Sequence, residues 1–229
     1  DLPMAAKKMA KDKARAFSWV RNVVSSEGSP IVVADPTVFR GRTGDESDGP
    51  AELVEVVSTK IGKAILLDTQ GGGGVDVGWK DREVVVMLAS SDHDEEKVFA
   101  KLAKRIEGAK VPEYLAGDIE IPHGLVIAEA VAPGSKLPDE LPATAGALAS
   151  PRCWFLPLAA GRYTVVEGDL EDEGVVWCRL VPHGAATYPR RPTKQWTDPV
   201  EDVLARISFA DPIREARALE AALELVGLG

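Results

Sequence analysis

Apolar positions along the chain change period several times, and each change marks an element. Met9, Ala10, Ala14 and Phe17 fall at helical spacing among lysines and alanines, which predicts a basic, weakly amphipathic helix from Met4 to about Phe17. Residues 18–24 turn β-like, 25–30 read as a turn, and Ile31-Val32-Val33-Ala34 is a short strand of the buried kind. A polar loop without an apolar anchor fills 41–50. Strands are then predicted at Leu53–Val57 and Ala64–Leu67, at Val75–Trp79 and at Glu83–Leu88, with Lys80-Asp81-Arg82 as a hairpin turn. From Asp94 to Glu107 the period switches to that of a helix. Val98, Phe99, Leu102 and Ile106 form one stripe, Ser91 or Asp92 can cap the start, and Gly108 stops it. Ile119–Ile121 and Leu125–Val131 resume the β pattern. Residues 132–150 are a connection rich in Pro, Gly, Ala and Ser, the place for a joint if the chain has one. Trp154–Leu158, Arg162–Val166 and Val175–Val181 are further strands, the last two joined by an acidic turn at Glu167–Gly174. Helices are predicted again at about 198–207 and 212–226, the second capped by Asp211-Pro212.

These elements predict an α+β fold: mainly antiparallel β-sheet with one packed central helix and terminal helices. Three regions are expected, a basic extension at 1–22, an α+β domain at 23–184 and a helical extension at 185–229. Met4 is a candidate start, with Asp1-Leu2-Pro3 an appended remnant.

Charge alters this picture more than composition does. The net charge of −9 is uneven: residues 23–184 hold 27 Asp/Glu against 15 Lys/Arg, whereas the first 22 residues hold six basic and two acidic side chains. A negative field of this kind repels nucleic acid and anionic membranes and attracts a basic protein surface. No apolar run approaches the ~20 residues of a membrane helix. Cys153 and Cys178, the only cysteines, sit among apolar neighbours and read as buried thiols, in keeping with a cytoplasmic protein.

Candidate chemistry is sparse. His93 stands between Asp92 and Asp94, but adjacent residues do not share a helix face, so a metal site is not expected there. His123 after Pro122 and His183 after Pro182 read as satisfied histidines at strand junctions. Zinc spacings are absent, and the glycine run 71–74 leads into a strand rather than a helix, which argues against a phosphate loop. Asp169, Glu171 and Glu173 echo the start of a calcium loop, but Leu180 stands where its bidentate Glu belongs. Lys7, Lys8, Lys11 and Lys13 lack interleaved aromatics for nucleic acid. The five tryptophans, Trp19, Trp79, Trp154, Trp177 and Trp196, read as core. No cofactor and no metal are expected.

Two segments carry a resemblance. Trp19-Val20 followed by Ser26-Glu27-Gly28-Ser29-Pro30-Ile31-Val32-Val33, and Leu156-Pro157-Leu158-Ala159-Ala160-Gly161-Arg162-Tyr163-Thr164-Val165, resemble the type-21 immunity family of bacterial polymorphic toxin systems over about residues 19–182. The chain departs from that family at Ser29, where a second Gly is usual, and it lacks an Asp-Tyr-Asp segment after the first loop. The resemblance implies a cytoplasmic, non-catalytic protein that binds and blocks a cognate toxin. A nuclease-like toxin would offer the basic surface that this charge suits. The residues expected to meet such a basic partner are Glu167, Asp169, Glu171, Asp172 and Glu173, with Asp45, Glu46 and Asp48 next. Two rivals remain open: an enzyme pairing His123 or His183 with a carboxylate, and an assembly protein docking through its terminal helices.

Overall fold

The computed structural model describes residues 16–26, 28–42, 53–68, 73–89, 96–108, 110–148, 152–170 and 173–192. The chain divides into two compact units, Asp1–Arg191 and Pro192–Gly229, and the described fold belongs to the first. The predicted helices at 4–17, 198–207 and 212–226, and Trp196, lie outside the described residues.

The strands, in chain order, are β1 (Ser18–Ser26), β2 (Ile31–Ala34), β3 (Val54–Ser58), β4 (Lys63–Leu67), β5 (Gly73–Lys80), β6 (Glu83–Ala89), β7 (Tyr114–Ile121), β8 (Leu125–Glu129), β9 (Gly146–Ala147), β10 (Cys153–Leu156), β11 (Gly161–Leu170) and β12 (Val175–Pro182). Two helices accompany them, α1 (Pro36–Arg40) and α2 (Glu96–Glu107). Among the described residues the fold is thus mostly antiparallel sheet with little helix. One six-stranded sheet runs β1-β5-β6-β12-β11-β7, the other β3-β4-β2-β8-β10-β9.

The two sheets face each other because alternate side chains on each are aliphatic or aromatic. Val75, Val77, Val84, Val86, Tyr163, Val165 and Leu180 of the first sheet meet Ile31, Val33, Ile65, Leu67, Ile127 and Trp154 of the second in one buried cluster. Trp79 and Trp154 bridge the sheets with ring centroids 6.0 Å apart. The outward faces are also apolar, so each needs a cover. Phe99, Leu102, Ala103 and Ile106 of α2 bury themselves with Val85, Met87 and Trp177 on the first sheet. Val38 and Phe39 of α1, with Leu137 and Leu148 of the 130–148 segment, cover Val32, Val126 and Phe155 on the second. Buried Arg179 ties α2 down: it donates to the Ile106 carbonyl and pairs with Glu83 and with Glu113 at 2.7 Å.

Several elements differ from expectation. α1 was not foreseen. β7 starts five residues before the predicted strand at Ile119, β8 ends at Glu129 and β10 at Leu156. β11 continues to Leu170, so the acidic turn expected at Glu167–Gly174 is half strand. β1 begins at Ser18, inside the expected N-terminal extension. At the other boundary Pro189 accepts the Leu115 N–H at 2.7 Å, so the 185–191 strap lies along β7.

The register gives the sandwich two distinct ends. Ser26 pairs Gly73, Gly74 pairs Ala89, and Val175 pairs both Ala89 and Leu170. In the second sheet Leu67 pairs Val54 and Ile31, and Ile31 pairs Glu129. The short link from β1 to β2 puts these strand ends together. The opposite end holds the tight turns at 59–62, 81–82 and 122–124, the start of β11 and the end of β12.

Candidate functional site

Of the acidic residues proposed for partner binding, three are described, and each already has a basic partner in its own chain. Glu167 lies on β11 opposite Cys178 and is 2% exposed. Arg191 donates from Nε to Glu167 at 2.9 Å and from Nη1 to Asp169 at 2.5 Å, and its guanidinium stacks 4.9 Å above the Tyr114 ring. Burial alone would lower the pKa of Arg191, but the two carboxylates overcome that and raise it. Glu173 pairs with Arg105 of α2. Glu167 and Asp169 are therefore internal counter-charges rather than exposed loop charges. The strand outlasts the predicted turn because β11 stays paired with Val175, Val176 and Trp177 of β12 through Leu170. Asp45, Glu46, Asp48, Glu171 and Asp172 lie outside the described residues, as do His93 and the N-terminal lysines. Acidic and basic side chains nearly balance among the described residues, so the negative surplus belongs to the remainder of the chain. The described strand ends flanking 43–52, 90–95 and 171–172 gather at one end of the sandwich.

The turn end carries a cavity of about 390 Å³. Asp35, which caps α1, is almost wholly buried in its wall. It accepts the backbone N–H of Thr37 and that of His123, each at 2.8 Å. The His123 Nδ1 lies 3.3 Å from both Asp35 Oδ1 and Thr37 Oγ1, which leaves Nε2 as the imidazole nitrogen for anything else. Gly124, at φ +103°, follows in a conformation that favours glycine, and a Cβ there would press on the Phe155 ring. Across the cavity Asp118 accepts from Arg162 at 2.9 Å and from Thr164 at 3.0 Å, with His183 Nδ1 at 3.1 Å. Burial raises the Asp118 pKa, but Arg162, Thr164 and His183 outweigh it and hold the carboxyl below its ordinary value. Lys63, Ile61, Val38, Pro122 and Glu120 also line it.

His123 and His183 both have hydrogen-bond partners from other elements, and of the two His123 lines the cavity. Asp35-Pro36-Thr37 is the same cap-then-proline signal as Asp211-Pro212, and that signal points to α1. Asp118 and Arg162 have no such local mark: the β7–β11 register alone joins them. Gly73-Gly74 opens a strand, and among the described residues no group of three or more His, Cys, Asp or Glu is arranged for a metal ion. Nor is any helix among those residues long and apolar enough to cross a membrane. No family model, curated protein or solved structure matches the chain.

Proposed function

We propose that this chain is an immunity-type inhibitor: a non-catalytic, cytoplasmic protein that binds and neutralises a bacterial toxin through the toxin's basic surface. One observation carries the reading. The described strand ends that flank the acidic runs 43–52, 90–95 and 171–172 gather at a single end of the sandwich, an arrangement that would direct a negative field from one pole. The resemblance of residues 19–182 to the type-21 immunity family supports it. In this reading Glu171, Asp172, Asp45, Glu46 and Asp48 meet the partner, and Glu167 and Asp169 hold the fold behind them. α2 and the expected terminal helices serve as scaffold. A nuclease is the fitting toxin class, because a phosphate-binding site is basic and carboxylates can occupy it in place of phosphate.

Coexpression with the protein encoded next to this gene tests the proposal. Wild-type chain should rescue growth, and a chain with the five acids amidated should fail while keeping its melting temperature. Equal rescue by both chains, or no rescue by wild type, defeats it. A second reading, an enzyme, is favoured by the buried Asp35 that orients His123 beside the cavity. Steady turnover lost on His123→Gln would select that reading instead.

A further inference from the structure

We propose that the cavity at the turn end binds an apolar carboxylate, either a small branched-chain acid or the terminal carboxylate of a peptide with an aliphatic last residue. Its size, about 390 Å³, is at the small end of ligand sites, and Val38, Ile61, Ile119 and Pro122 give its wall an aliphatic part. Ile61 is 54% exposed there, beside Val38 and Pro122. That surface suits a branched alkyl group.

The polar groups decide the sign of the ligand. Two of the three lining carboxylates have their acceptor capacity engaged: Asp35 by the Thr37 and His123 backbone, Asp118 by Arg162 and Thr164. Donors remain. Lys63 has no ion pair among the described residues. Arg162 gives Nη2 to Asp118, and a guanidinium has further N–H groups to offer. His123, with Nδ1 held, keeps Nε2 as the ring nitrogen left for a ligand. A carboxylate has two oxygens to bridge such donors and gains charge-assisted hydrogen bonds on doing so. Glu120 is the exception: it lines the cavity without an ion pair among the described residues and opposes an anion. That opposition gives the proposal a signed test. The site lies at the opposite end from the strand ends that flank the acidic runs, so it stands or falls separately from the inhibitor reading.

The test is an NMR titration of the full chain with isovalerate, isovaleramide and isopentylamine, following the His123 ring and the Ile61 methyls. Isovalerate should give saturable shifts at both residues, and the uncharged and cationic analogues should not. Lys63→Ala should weaken isovalerate by about fivefold or more, the worth of a charge-assisted hydrogen bond. Glu120→Gln should tighten it by about threefold, as expected on removing a like charge at a partly exposed site. Leucine-terminated tripeptides, as free acid and as amide, separate the two sources. Tighter binding of the peptide acid than of isovalerate assigns a chain terminus, and the reverse assigns a free acid. The proposal is overturned by absence of a saturable shift, by the amine binding as well as the acid, or by Glu120→Gln weakening the acid.

Discussion

Gly168 shows how narrowly single positions are set in this fold. A Cβ at 168 would overlap the ring of Trp177, a fully buried indole that has no room to withdraw. Gly168→Ala should cost about 1–3 kcal/mol, the usual penalty of overpacking, measured by urea unfolding. An unchanged midpoint would mean the hairpin gives way. Burial has a second consequence at Cys178, whose thiol is pushed up to about 12. Since Cys153 is also buried and neither is bridged, a thiol reagent should label no cysteine in the folded chain and two after denaturation. Asp118 gives a pH signature. Its pKa is depressed from an ordinary 3.8, so the unfolded state takes up protons first on acidification and stability rises with pH in that interval. The contribution is complete above the ordinary value and is lost as pH falls through the folded one. The melting-temperature gap between wild type and Asp118→Asn should therefore close below about pH 4. A constant gap contradicts the account. None of these environments is local in sequence. Glu167 reads as a loop acid because its neighbours are Gly168, Asp169 and Glu171, and only the return of Arg191 makes it internal.

At the scale of elements, α1 and the 122–124 turn form one device held by Asp35. Asp35→Ala removes a helix cap and the acceptor for His123 N–H together, and should destabilise by about 2 kcal/mol or more on chemical denaturation. A loss of under half that would show the two elements are tied elsewhere. β2, β4, β5, β6, β12 and the helix of Val98–Ile106 were legible because their apolar period is unbroken. β7 is only half legible, since Tyr114-Leu115-Ala116-Gly117-Asp118 mixes small and polar residues. There Gly117 lets the strand pass close to Val56 of β3, a contact between sheets that periodicity does not record. β1 has a similar hidden feature. Asn22 takes φ 51° in a register break, and its N–H finds the buried carboxylate of Asp76 at 2.8 Å.

For the whole molecule, antiparallel strands with a helical minority could be inferred from the pattern, whereas their sorting into two facing sheets could not. Strand order depends on pairings such as β6 with β12, far apart in sequence. The uneven charge is visible as a count, whereas which strand ends flank the acidic runs follows from register. The strap at 185–191 has a consequence for the shortest chain that can fold alone. It supplies Pro189 as the acceptor along the free side of β7, and Arg191 as the cation for Glu167 and Asp169. Stopping translation after Gly184 would strand those two carboxylates and bare a sheet edge, the usual start of intermolecular strand pairing. A chain released at Gly184 should aggregate or melt without cooperativity, and one released at Pro192 should give a single sharp calorimetric transition. Eight residues that look like a tail would then decide whether the nascent protein is a monomer or a precipitate.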